Sequence, residues 1–205
     1  MALQWMMAVT FASFAMTAHS ASKTVVVLGD SLSAEYGLVR GEGWVSLLEK
    51  RLATERINAS VVNASISGET TSGGKSRLQN LLDKHHPSVV ILELGGNDAL
   101  RGLSLAATRQ NLTEMAASIK QSGAKLLIVG MQIPPNYGAD YTRQFANVFS
   151  DLAKQTKAPL VPFMLAGVVE QADMFQPDRI HPVAAAHPII LNNIWPKLKP
   201  LLTGK

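Results

Sequence analysis

The sequence predicts a doubly wound α/β fold with a parallel sheet of about five strands, and three observations lead there. Short, β-branched, nearly continuous apolar runs alternate with longer stretches that carry apolar residues at helical spacing. The short runs lack the polar alternation of strands with one wet face, so they read as strands covered on both sides. No repeat, low-complexity tract or linker interrupts the series over 205 residues. Such a series is a chain of βαβ units with parallel strands and right-handed crossovers.

Taken in order, the expected strands are Thr24 to Leu28 (TVVVL), Ala59 to Asn63 (ASVVN), Ser88 to Leu94 (SVVILEL), Lys125 to Val129 (KLLIV) and Leu160 to Phe163. Between them, Trp44 to Arg56 places Trp44, Val45, Leu47, Leu48 and Leu52 on one helical face. Lys75 to Lys84, Leu105 to Gln121 and Tyr141 to Thr156 follow the same period. The closing segment, Val183 to Leu202, is expected to be a helix bent near Pro188 and Pro196, because proline removes a backbone donor.

Composition sets outer limits. At 47% hydrophobic and 17% charged the chain is globular rather than disordered. Nineteen Lys and Arg against 15 Asp and Glu give +4 without a basic cluster, so no nucleic-acid partner is expected. Cysteine is absent, which removes disulfides, thiolate metal sites and cysteine nucleophiles together.

The first 22 residues contain no Asp, Glu, Lys or Arg, and Trp5 to Met16 is mostly apolar. This run is short for a membrane span of about 20 residues and ends near the small residues around Ala18-His19-Ser20. Residues 1–20 therefore read as a secretory signal cleaved near Ser20/Ala21. Residues 21–205 remain as one domain, exported to the periplasm or beyond, monomeric and without a stable membrane anchor.

In an open parallel sheet ligands bind beyond the carboxyl ends of the strands. Three polar, glycine-containing clusters fall there: Gly29-Asp30-Ser31-Leu32-Ser33, Ser65 to Thr71 around Gly68, and Gly95-Gly96-Asn97-Asp98. Any one of them could be ordinary turn chemistry; three on one edge point to a site. Among the histidines, His19 lies in the signal, His85 and His86 fall at the opposite edge, and His187 sits in the last helical segment as a surface or packing residue. His181 follows the final strand in Pro177-Asp178-Arg179-Ile180-His181-Pro182. A carboxylate three residues before an imidazole can fix its tautomer and leave the other ring nitrogen to take a proton from a nucleophile.

These four blocks, in this order, resemble those of the GDSL or SGNH hydrolase family, over essentially the whole chain after the signal. The resemblance implies a flavodoxin-like three-layer α/β/α sandwich and hydrolysis of acyl or aryl esters and thioesters without a cofactor or a metal. It assigns Ser31 as nucleophile, His181 as general base and acid, and Asp178 as the orienting carboxylate. It also assigns the oxyanion donors: the N–H groups of Ser31 and Gly68 and the amide of Asn97. Asp30 and Asp98 are expected to brace the loops. G-x-S-x-G is absent, so the nucleophile elbow of the α/β-hydrolases is not expected. Rival readings are a carbohydrate-deacetylating esterase of the same family, a metal-dependent phosphoesterase and a non-enzymatic binding module. Glu35 is expected on a solvated helix face, and the loop from Gln132 to Tyr141 and the stretch from Ala99 to Leu105 as walls of an acyl pocket.

Overall fold

The computed structural model describes residues 22–204; the expected signal at 1–20 lies outside them. Five strands, β1 (Lys23–Gly29), β2 (Ala59–Asn63), β3 (Val89–Glu93), β4 (Lys125–Val129) and β5 (Leu160–Val161), form one sheet in the order β2-β1-β3-β4-β5. Every neighbouring pair is parallel. This is the flavodoxin-like strand order, which reverses direction between β1 and β3 and opens a crevice there.

Alternate residues of each strand face opposite layers. Val25 and Val27 point into a core shared with α1 (Trp44–Thr54) and α6 (His187–Thr203). Val26 and Leu28 point into a second core built with α2 (Thr71–His85), α4 (Leu105–Gln121) and α5 (Ala139–Thr156). Both faces are therefore dry, as the unbroken apolar runs required.

Differences from the sequence-based boundaries have local causes. Helix α2 starts at Thr71 rather than Lys75, because Thr70 caps it by accepting a hydrogen bond from the Gly73 N–H at 3.3 Å. Gly73 and Gly74 hide this start from a propensity reading. A Cβ on Gly74 would stand 2.3 Å from a Leu94 methyl, so the glycine lets α2 approach the sheet. Strand β5 keeps only two of its four expected residues. The closing helix is preceded by a 3₁₀ turn at Ala184–Ala186, and Pro188 lies in its first turn, where no N–H is required. Pro196 and Pro200 lie inside α6.

Candidate active site

Strand β1 delivers Ser31 to the carboxyl edge of the sheet through Gly29, where a Cβ would lie 2.7 Å from a Glu93 carboxyl oxygen. The turn closes on Asp30: its carbonyl accepts from the N–H groups of Ser33 (3.2 Å) and Ala34 (3.0 Å). One Asp30 carboxyl oxygen accepts from the Leu32 N–H at 3.1 Å, and the other accepts from the Asn97 amide at 3.0 Å. Asn97 belongs to the short helix α3 (Gly96–Leu100), so Asp30 ties the loop after β1 to the loop after β3. Asp98 makes the matching tie to the loop after β2. It accepts from the Thr71 N–H (2.9 Å) and hydroxyl (2.5 Å), and from the Thr108 hydroxyl (3.2 Å).

His181 arrives from the long segment after β5. Its Nε2 is 2.9 Å from Ser31 Oγ and its Nδ1 is 2.7 Å from Asp178 Oδ2. The other Asp178 oxygen accepts from the N–H groups of Ile180 (2.9 Å) and His181 (3.0 Å), a tight turn made possible by the left-handed conformation of Arg179 (φ 58°). Partial burial pushes the Asp178 carboxyl up, but the His181 and Ile180 N–H groups and the imidazole outweigh it and hold it down at about 2. Asp178 therefore stays ionised wherever the protein works. An ionised carboxylate on Nδ1 leaves Nε2 as the basic nitrogen facing the serine hydroxyl, which is the arrangement that turns a weak nucleophile into a strong one.

Two further contacts hold the imidazole. The Tyr36 ring lies 4.3 Å from it, tilted by 37°. Gln176 clasps the two loops: its side-chain amide donates to the carbonyls of Tyr36 (2.9 Å) and Pro182 (3.1 Å), while its N–H donates to the His181 carbonyl (2.8 Å). Gly37, in the left-handed region, leaves room for the Gln176 side chain, since a Cβ there would meet its oxygen at 2.1 Å.

Ser31, Gly68, Asn97 and His181 line one cavity of about 360 Å³. Gly68 sits at φ 77°, and its carbonyl is held by the Arg101 guanidinium at 2.9 Å. A second cavity of about 340 Å³ shares Gly96, Leu100, Met131 and Ile180 with the first. Its walls are almost entirely apolar, among them Ile133, Pro134 and Phe163. The loop after β4 and Leu100 thus form pocket walls, whereas Leu105 packs against the core and Leu103 stays exposed.

Beneath the serine turn lies a group whose role sequence reasoning missed. Glu93, at the end of β3, is only 2% exposed. It accepts from the Ser33 hydroxyl (2.7 Å) and the Asp30 N–H (3.3 Å), and Ser33 in turn accepts from the Trp44 indole (3.2 Å). Burial, reinforced by the neighbouring Asp30, pushes the Glu93 carboxyl well above 4.5; burial raises Asp30 to about 6. A carboxyl raised by folding binds its proton more tightly in the folded state, so it costs stability as pH rises above its unfolded value. Urea unfolding of the wild type and Glu93→Gln at pH values on either side of neutrality checks this. The wild type is expected to lose stability relative to the variant as pH rises, and equal slopes would mean that Glu93 is ionised when folded. The only sign in the sequence was an acidic residue in an otherwise apolar strand.

Glu35 departs from expectation. It has φ 59° and is not on a helix face: its carboxylate accepts from the N–H groups of Gly41 and Gly43 (2.9 Å) and from the Ser46 hydroxyl (2.7 Å). It organises the approach to α1 and does not line the Ser31 cavity. His187 is a packing residue, buried, with Nδ1 accepting the first N–H of α1 from Trp44 at 3.0 Å. His85 and His86 end α2 at the far edge.

Residues 27–189 match the model of the GDSL-like lipase/acylhydrolase family. The chain belongs to this family. Among relatives of this acylhydrolase, Esterase TesA of Pseudomonas aeruginosa is 51% identical over 187 residues, 91% of this chain and 93% of the other. Thioesterase 1/protease 1/lysophospholipase L1 of Escherichia coli K12 is 39% identical over 183 residues, 89% and 86% of the two chains. The crystal structure of TesA superposes on the acylhydrolase with a TM-score of 0.86 at 52% identity, covering 88% of this chain and 100% of that one. The α/β sandwich described above is the SGNH hydrolase fold.

Proposed function

We propose that the protein hydrolyses carboxylic esters and thioesters of acyl and aryl groups through an acyl-Ser31 intermediate. The observation that carries this reading is the line Ser31 Oγ, His181 Nε2, His181 Nδ1, Asp178 Oδ2, at 2.9 and 2.7 Å, facing a cavity continued by an apolar one. His181 takes the Ser31 proton as Oγ bonds to the substrate carbonyl carbon; the imidazolium, stabilised by Asp178, then protonates the departing alkoxide or thiolate. Water, deprotonated by His181, adds to the acyl-serine, and the imidazolium gives that proton to Ser31 Oγ as the acyl–oxygen bond breaks and the acid leaves. The N–H groups of Ser31 and Gly68 and the Asn97 amide hold the oxyanion, with Asp30 orienting Asn97. The names of the relatives, esterase and thioesterase among them, agree with this chemistry.

The enzyme is read as an exported monomer, processed near Ser20/Ala21 and acting in the periplasm or outside the cell. No helix among the described residues is long and apolar enough to cross a membrane. The test of function is hydrolysis of p-nitrophenyl esters and acyl thioesters of increasing chain length. A chain-length preference is expected, because the second cavity offers an acyl chain an apolar wall; no turnover on any of them would refute the reading.

Two variants probe the supporting residues. Asn97→Ala is expected to lower kcat by about 10²–10³, the cost of one oxyanion donor, with KM changed far less. Gln176→Ala is expected to lower kcat by on the order of 10- to 100-fold through misplacement of His181. Fold and melting temperature should change little in either; a Gln176→Ala enzyme with wild-type kcat would show that the clasp does not position the base.

A further inference from the structure

Among the described residues, the large hydrophobic side chains that stand exposed are all on one edge of the sheet. Tyr36 and Val39 follow β1, Ile66 follows β2, and Leu103 lies between α3 and α4. Tyr137 follows β4, and Val169 and Ile180 follow β5. Among the described residues, none comes from the outer face of a long helix or from the turns that lead back into the strands. In a parallel sheet the loops after the strands share the carboxyl edge, so this apolar surface surrounds the entrance to Ser31.

We propose that this rim docks the enzyme on a phospholipid surface, so that a lipid ester passes from the bilayer or micelle into the apolar cavity without crossing water. The proposal rests on the esterase reading above and adds where the substrate is met. Continuity is the first argument: Ile180 lines both cavities and Val169 lines the apolar one, while both are exposed at 46%. Apolar surface therefore runs from the rim to the serine.

Composition is the second. Two of the three tyrosines of the chain stand exposed on this rim, and tyrosine suits the boundary between headgroups and acyl chains. Charge is the third. Arg40, Arg101 and Arg179 are exposed on the same loops, and guanidinium groups match phosphate. Most acids of these loops are engaged inward instead: Glu35 by Gly41, Gly43 and Ser46, Asp30 by Asn97, Asp98 by Thr71, and Asp178 by His181. Glu42, beside Arg40 on the loop after β1, and Glu170 and Asp173 on the β5 side remain exposed. The rim thus offers apolar side chains interspersed with arginines, of which Arg40 lines neither cavity, the pattern of a surface that meets phosphate headgroups and acyl chains together.

The test is co-sedimentation of the full chain with phosphatidylcholine vesicles and with vesicles of phosphatidylcholine mixed with phosphatidylglycerol. Ser31→Ala is present in every sample so that no lipid is consumed. The triple variant V39S/I66S/L103S changes three rim residues that line neither cavity. It is expected to bind at least about tenfold more weakly, because scattered apolar side chains inserted at an interface dominate such binding. Residues before Lys23 are common to all samples, so the difference reports the rim. Arg40→Gln is expected to weaken binding to the mixed vesicles and not to phosphatidylcholine alone. With Ser31 intact, the triple variant should hydrolyse p-nitrophenyl acetate at the wild-type rate; loss of that activity in the wild type itself would instead strike the esterase reading. Val39→Asp, at the most exposed of the seven positions (71%), repeats the experiment with one change. The proposal is overturned if the parent does not sediment, if the variants bind as the parent does, or if the parent is a dimer that V39S/I66S/L103S dissociates, since the rim would then belong to a second copy.

Discussion

Ser31→Ala is expected to abolish hydrolysis, with kcat falling by on the order of 10⁴-fold or more, while the melting temperature should stay within a few degrees of the wild type. The size follows from the geometry. The hydroxyl is the one oxygen 2.9 Å from His181 Nε2, and without it neither the acyl-enzyme nor its proton relay exists. Residual rate over water then comes from the oxyanion donors and from binding alone. Fold is unaffected, because the turn is held by Asp30, Ser33 and Glu93 rather than by the Ser31 side chain. Removing His181 as well should cost little more than removing Ser31, because the two act as a unit. Steady-state kinetics with a p-nitrophenyl ester, beside thermal unfolding of each variant, measures both; a Ser31→Ala protein with wild-type turnover would remove Ser31 from the reaction.

Asp178→Asn should be the next most damaging change, lowering kcat by about 10³–10⁴ with KM nearly unchanged. An amide in place of the carboxylate can present its NH₂ to Nδ1, which favours the wrong tautomer, and it brings no charge to stabilise the imidazolium. The half-exposed position of the carboxylate, 38% by side chain, keeps the effect below that of a fully buried triad acid. The pH profile distinguishes this from simple disruption. With the Asp178 carboxyl at about 2, it is ionised throughout the range above pH 4. The acid limb of kcat/KM above pH 4 should therefore contain no step from Asp178, and a step there that disappears in Asp178→Asn would contradict the assignment.

Much of the site was legible before any coordinates because its pieces are local. Gly-Asp-Ser and Gly-Gly-Asn-Asp each sit within one turn at the end of one strand, and Asp178 and His181 are three residues apart, so spacing alone restricts their geometry. The βαβ order then sends all of them to one edge. The residues that escaped are those whose partners are distant in sequence. Gln176 reads as an ordinary polar loop residue until Tyr36, 140 positions earlier, is seen in its reach. Glu35 looked like a helix-face acid because its partners, the Gly41 and Gly43 N–H groups, are presented only once the loop has closed on α1. The start of α2 was obscured by two glycines that depress propensity and that are retained for close packing, at Gly74 against Leu94 and at Gly73 beside Glu69.

By itself, then, the sequence determined the five parallel strands, their dry faces, and the candidate serine, histidine and aspartate, because periodicity and short spacings are properties of neighbouring residues. Tertiary structure alone decided how those groups are held. A carboxyl as buried as Glu93 holds its proton more tightly than an exposed one, the Asn97 amide is aimed by Asp30, the imidazole is clasped by Gln176 and covered by Tyr36, and the second cavity is closed by residues from the segments after β3, β4 and β5. Each depends on contacts between segments far apart in the chain, whose energies exist only after the sheet has brought the loops together.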